Sequence, residues 1–254
     1  MFPIRDHNPS GRRPYVTYGL LIANVVIFLS YWGAIPDEES LYGFFYTFGL
    51  VPAYISQTGI FSENGFDYGV VTHMFLHGGW GHLLGNMLFL WIFGDNMEDA
   101  FGHKNFAGFY LASGFCAAAF QYYADPSADV PMVGASGAIA GVLGGYLLLY
   151  PRAKVDILFI FIIFFRIFAI PAWIVLGVWF GMQIMSSGAS DGVAYMAHIG
   201  GFIGGAAMAG IYLIRHGGRG FWAQNEGAPP HPVTQYPISR TSIPRVGIAR
   251  IRKR

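Results

Sequence analysis

Cysteine and charge are both scarce in this chain of 254 residues. Cys116 stands alone, which excludes a disulfide framework and a cysteine-based metal site. Asp, Glu, Lys and Arg make up only 11% of residues, where a soluble domain carries about a quarter. No small-residue cleavage signal accompanies Arg5, Arg12 and Arg13, so the first apolar run reads as a retained span rather than a removed signal peptide. Apolar residues fill the space instead. They make up 54% of the chain, in runs long enough for membrane helices rather than barrel strands. The expectation is an all-α, polytopic membrane protein.

The runs predict six spans. Span 1 covers about 15–32, span 2 about 80–95 and span 3 about 106–123. Span 4 ends at Tyr150, span 5 covers 171–185 and span 6 about 194–214. Residues 41–55 are rich in aromatics but broken by Gly43, Gly49 and Pro52, and predict an interfacial first outer loop with short helices. Residues 155–186 are too many for one span and too few for two. The part from 155 to 169 therefore reads as an interfacial segment on the inner side. The chain divides into a cytoplasmic N-terminal segment (1–14), a six-span core (15–214) and a basic, Pro-rich tail (215–254) that reads as disordered.

Charge placement agrees with this count. With the N-terminus inside, all 15 Lys and Arg fall in inner segments. The outer loops hold none, yet carry Asp37, Glu38, Glu39, Glu63, Asp67, Asp125, Asp129 and Asp191. This positive-inside asymmetry puts both termini in the cytoplasm, at a plasma or inner membrane. Arg250, Arg252, Lys253 and Arg254 read as an inner-leaflet anchor rather than a nucleic-acid site.

Polar residues within the spans converge on one depth. Counted from the inner boundaries at helical rise, Ser136 lies about 21 Å up, His82 about 20 Å and His198 about 25 Å, in a core about 30 Å thick. Asn86 is one turn deeper than His82, on the same face. Groups at such depth normally face the bundle interior or water. Gly137, Gly141 and Gly145 on span 4, with Ala197, Gly201 and Gly205 on span 6 and Gly200 and Gly204 beside them, let two helices pack backbone to backbone. Ser136 and His198 stand at the outer ends of these stripes. A serine needs a base to take its proton, and His198 is the only histidine on span 6. Free N–H groups at a helix start suit an oxyanion. No Asp or Glu lies at this depth, so a carboxylate third member is not available. Trp173, Trp179, Phe180 and Met182 make span 5 bulky and displaceable, and it reads as a gate facing span 2.

Three motifs carry a resemblance. Gly134-Ala135-Ser136-Gly137, Ala197-His198-Ile199-Gly200-Gly201 and His77-Gly78-Gly79-Trp80-Gly81-His82-Leu83-Leu84-Gly85-Asn86 resemble the signatures of the rhomboid intramembrane serine proteases. Glu98 and Gly102 resemble that family's inner loop after span 2. The resemblance covers residues 15–214. It implies that Ser136 is the nucleophile and His198 the general base, a dyad without a carboxylate. It implies that His82, Asn86 and the Ser136 backbone N–H hold the oxyanion, with no cofactor and no metal. It implies substrates that are single-span membrane proteins with a helix-breaking stretch near the outer face. Ala140 stands where some members carry an aromatic packed on the catalytic histidine, and the first outer loop has no Arg where some carry a Trp-Arg pair.

Rival readings explain less. A zinc protease needs a pattern such as His-Glu-x-x-His, whereas His77 and His82 are five apart with no Glu between them. A bis-His haem bundle leaves Gly-Ala-Ser-Gly without a purpose. A catalytically inactive rhomboid-like protein that binds membrane clients is the alternative from another class, but it is expected to have lost the serine or the histidine, and both are present.

Overall fold

Glycine spacing decides how closely the helices of this protein meet. The computed structural model describes residues 2–8, 10–62, 65–161, 164–189 and 191–225. The chain opens with β1 (Phe2–Asp6) and α1 (Tyr15–Trp32). The segment between α1 and the first long helix after it holds α2 (Glu38–Phe48), α3 (Pro52–Thr58), the two-residue strands β2 (Phe61–Ser62) and β3 (Gly65–Phe66), α4 (Gly69–Thr72) and a 3-10 turn at His73–Phe75. The long helices α5 (Trp80–Phe101) and α6 (His103–Ala124) follow, then α7 (Ser136–Leu149). The strands β4 (Lys154–Phe161) and β5 (Phe164–Pro171) lead into α8 (Ala172–Ser186), α9 (Tyr195–Arg215) and α10 (Arg219–Asn225). By length and composition, α1 and α9 can cross a membrane, while α7 and α8 are shorter apolar helices.

Helix α7 is the centre, and every residue from Gly137 to Tyr146 is buried. Helices α5, α6, α8 and α9 pack around it. Its seam with α9 is backbone against backbone. A Cβ on Gly201 would overlap the Gly137 carbonyl, one on Gly205 the Gly141 carbonyl, and one on Gly144 the Phe202 carbonyl. On the other flank of α9, Gly200 abuts Phe120 and Gly204 abuts Cys116 of α6. Gly177 and Gly181 of α8 repeat the four-residue spacing, yet a Cβ on either would meet nothing within 4 Å. The spacing thus knits α9 to α7 and α6 and leaves α8 more loosely held.

The all-α expectation is corrected at the end of the bundle opposite Ser136. There β1, β4 and β5 form an antiparallel sheet in the order β1-β4-β5. Its registers run from Lys154↔Pro171 to Phe161↔Phe164 and from Phe2↔Leu158 to Asp6↔Val155. Residues 155–169, expected as an interfacial segment, are therefore mostly hairpin. Val155, Ile157, Phe159, Ile160, Ile167, Phe168 and Ile170 are β-branched or aromatic and suit a pleated surface. A continuous apolar run gives no period by which to tell strand from helix.

The N-terminal segment is tied into this end. Arg5 Nη2 donates to Asp156 Oδ2 at 2.8 Å. Asp6 accepts from Asn96 Nδ2 at 2.6 Å and from the Tyr146 hydroxyl at 3.1 Å. Glu98, buried on α5, accepts from the backbone N–H groups of Val16 and Thr17 at 2.9 and 2.8 Å and so satisfies the free start of α1. The tail is corrected in part. Residues 219–225 form α10, with Trp222 Nε1 donating to the Leu148 carbonyl at 3.1 Å, because Phe221 and Trp222 supply apolar surface that packs on the core. The rest of the expected disordered tail, 226–254, and Glu63 lie outside the described residues.

Two outcomes are expected. Gly205→Ala should cost about 1–3 kcal/mol, because the new methyl meets a backbone carbonyl. Gly177→Ala should be neutral or stabilise by up to about 1 kcal/mol, since only helix propensity changes. Thermal unfolding in detergent checks both. Burial, and after it the charge of Asp95, pushes the Asp6 carboxyl up to about 7. A raised carboxyl favours the protonated form in the folded state, so its contribution is full below about pH 4 and falls as pH rises through 7. Asp6→Asn should therefore stabilise the protein at pH 8 relative to wild type and flatten the decline between pH 5 and 8.

Candidate active site

Ser136 is the first residue of α7 and is reached through a turn that only glycine serves. Gly134 has φ +136°, in the left-handed region, and a Cβ there would lie 2.8 Å from the His82 ring. Its N–H donates to the His73 carbonyl at 2.8 Å, which fixes the turn against the loop before α5. Starting the helix at Ser136 leaves the N–H groups of Ser136 and Gly137 without intrahelical acceptors, and both residues line a cavity of about 410 Å³.

His198 sits in the first turn of α9. Asp191 sets up that turn by accepting from Val193 N–H at 3.2 Å and from the Tyr195 hydroxyl at 2.6 Å. The imidazole then bridges two helices. Its Nε2 lies 2.7 Å from Ser136 Oγ on α7, and its Nδ1 lies 2.7 Å from Gln183 Oε1 on α8. The expected convergence of Ser136 and His198 from separate helices is thus a direct hydrogen bond.

His82 lines the same cavity. Its Nδ1 faces the Gly78 N–H at 3.4 Å, which leaves Nε2 as the protonated donor on the side of Gly134. Asn86 is one turn further along α5, off the cavity lining and buried, and its Nδ2 has no partner among the described residues. Among the described residues no three His, Cys, Asp or Glu gather as a metal-binding group. A second cavity of about 460 Å³ opens at the opposite end, beside Asp6, Trp91 and Asp95, but its histidine, His7, bonds Asp156 rather than a hydroxyl.

Two neighbours of His198 come from α8: Gln183, which the sequence reading passed over, and the ring of Trp179, read there only as bulk, whose centroid is 5.9 Å from that of His198. They answer how the histidine is held above Ala140, which is wholly buried and offers no ring. Trp179 and Phe180, read from the sequence as bulky residues of a displaceable span 5, stack on Phe202 of α9 at 6.1 and 4.3 Å. The exposed side of α8 is made by Trp173, Val178, Met182 and Met185. The missed signal was available: Gln183 is a lone polar side chain inside an apolar run, and such groups turn inward.

This geometry agrees with what the chain is similar to. A family model, the Rhomboid domain, matches residues 66–215. Rhomboid protein 1, mitochondrial, of Saccharomyces cerevisiae is 33% identical over 157 residues. RHOMBOID-like protein 4 of Arabidopsis thaliana is 36% identical over 164, and Rhomboid protease GluP of Bacillus subtilis 34% over 152. These alignments cover 58%, 61% and 59% of this chain but only 42%, 37% and 27% of those proteins, so the chain spans less than half the length of each. The matched region runs from β3 through α9 and takes in all three motifs and the Ser136–His198 contact, and on that ground the chain belongs to the rhomboid family, as a predominantly helical integral membrane protein.

Proposed function

We propose that this protein is an intramembrane serine endopeptidase that cleaves peptide bonds in or near transmembrane segments of other membrane proteins. One observation carries the reading: His198 Nε2 stands 2.7 Å from the Oγ of Ser136, which lines a cavity beside the helix-start N–H groups of Ser136 and Gly137. A packing role for either residue needs no such contact. An inactive client-binding relative has no use for it either.

The chemistry follows from the atoms. His198 takes the Ser136 proton at Nε2 as Oγ attacks the scissile carbonyl. The N–H groups of Ser136 and Gly137, with His82 Nε2–H, stabilise the oxyanion. His198 then hands its proton to the leaving amine, and water cleaves the acyl-enzyme by the same path. Asn86, expected to join the oxyanion donors, takes a supporting role here, since it lies off the cavity lining. Six helices (α1, α5, α6, α7, α8 and α9) make the spans, with both termini cytoplasmic in a plasma or inner membrane. The distribution of basic residues supports this topology. Single-span membrane proteins are the substrates. Their helix reaches Ser136 past α8 on the α5 side, because α8 packs on α9 and α7.

Labelling with a fluorophosphonate tests the reading. Wild type should be labelled, and Ser136→Ala and His198→Ala should each lose both labelling and cleavage of a transmembrane substrate. The double variant should be no worse than either single one, since residues that act as a unit are not additive. A His198→Ala protein that cleaves at the wild-type rate would falsify the peptidase reading. His82→Ala should lower kcat by about 10²–10³ while Ser136 remains labelled slowly. Unchanged turnover in that variant would reduce His82 to a packing residue.

A further inference from the structure

Gln183 is the one polar side chain that α8 turns into the protein, and it is 8% exposed. Its Oε1 meets His198 Nδ1 at 2.7 Å, and its Nε2 donates to the Trp179 carbonyl one turn back at 3.3 Å. A neutral imidazole has one protonated nitrogen and one bare one. To receive the Ser136 proton, His198 must keep Nε2 bare, so Nδ1 must carry the hydrogen and needs an acceptor. An amide can present either end. Were Gln183 reversed, its NH₂ would donate to a bare Nδ1 and push the hydrogen onto Nε2, which is the wrong tautomer for taking a proton from serine. The Trp179 carbonyl accepts only from the NH₂ end and so settles the orientation. Among the described residues no carboxylate bonds His198. The other titratable side chains near it are His82 across the cavity and Tyr195, whose ring centroid lies 6.3 Å away.

We propose that Gln183 is a positioning residue for the Ser136–His198 pair: its side-chain carbonyl, oriented by Trp179, holds His198 in the Nδ1–H tautomer with Nε2 aimed at Ser136. The proposal rests on the peptidase reading. It adds to the dyad a neutral third member, contributed by a helix that sequence spacing does not connect to the site.

The full chain in liposomes is the test, with Gln183→Met removing the acceptor at similar volume and Gln183→Glu retaining it. Gln183→Met should lower kcat for a transmembrane substrate by about 10²-fold, the scale of general-base catalysis, with KM within about twofold. Gln183→Glu should recover kcat to within about tenfold of wild type, and its carboxylate should move the acid limb of the pH–rate profile to higher pH by favouring protonated His198. Wild-type kcat in Gln183→Met overturns the proposal. So does equal loss in both variants with an unmoved pH profile, which marks a packing role. Should Gln183→Met fail to fold, nitrogen-15 spectra of histidine-labelled wild type still decide: His198 protonated at Nδ1 supports the proposal and protonation at Nε2 overturns it. Labelling that survives Ser136→Ala would instead bring down the peptidase reading and this proposal with it. Loss of labelling in Ser136→Ala beside a normal Gln183→Met would bring down this proposal alone.

Discussion

The backbone seam between α7 and α9 is the contact on which the rest of the structure depends. In a bilayer, helices gain little from hiding apolar surface from one another, because lipid tails are equally apolar. Close van der Waals packing must hold them instead. Gly201 on Gly137 and Gly205 on Gly141 bring the two main chains together and also fix their rotation and register. Ser136 precedes Gly137 by one residue, and His198 precedes Gly201 by three, so the pair is the outward continuation of the seam. A serine and a histidine 62 residues apart in sequence are brought to 2.7 Å by the same stripe that binds the helices. The seam stops where chemistry begins, since a further glycine contact in its place would leave no room for side chains.

The other end of α7 is secured by different means. There the apolar runs stop, and polar groups do the joining. Tyr146 reaches Asp6, Arg5 reaches Asp156 across the β1–β4 pair, and Glu98 takes up the free N–H groups at the start of α1. Helix α10 adds an indole bond to the Leu148 carbonyl. A helix fixed on several sides at one end can carry a loosely covered opposite end. The cavity at Ser136 and the lightly held α8 beside it belong to that division of labour.

Much of this was legible in the residues. Apolar run lengths located the six long helices to within a few residues, except that α5 extends to Phe101, past its expected end at Asp95. Depth counting brought Ser136 and His198 to one level, because helical rise is constant and the run boundaries are sharp. The hairpin at 154–171 was not legible. Apart from Lys154, Asp156 and Arg166 its residues are apolar, so no alternation marked a strand, and its pairing with Phe2–Asp6 is a contact across more than 140 residues. The orientation of α8 was not legible for a related reason. Bulk along α8 reveals nothing of which side faces a neighbour, and only the structure shows Trp179 and Phe180 turned to Phe202. Gln183 was passed over because it stands alone on its helix, outside the motifs that drew attention to Ser136, His198, His82 and Asn86.

The neutrality of Gln183 makes physical sense where the site lies. A carboxylate at a helix centre costs about 2.5–3.5 kcal/mol on insertion scales, and at Gln183, within a turn of the end of α8, part of that cost remains. It would have to be carried on α8, which packs lightly and exposes one whole side. An amide gives the imidazole an acceptor of the same geometry without a buried charge, and the local Trp179 carbonyl fixes its orientation at no cost in long-range contacts. What the amide gives up is the electrostatic support a carboxylate lends to protonated histidine. The compensation available here is on the other side of the reaction. In the proposed mechanism the imidazolium forms at the same moment as the oxyanion, and each stabilises the other. On the proposed reading such a site works with charges that exist only while the reaction is under way, and among the described residues no carboxylate bonds His198.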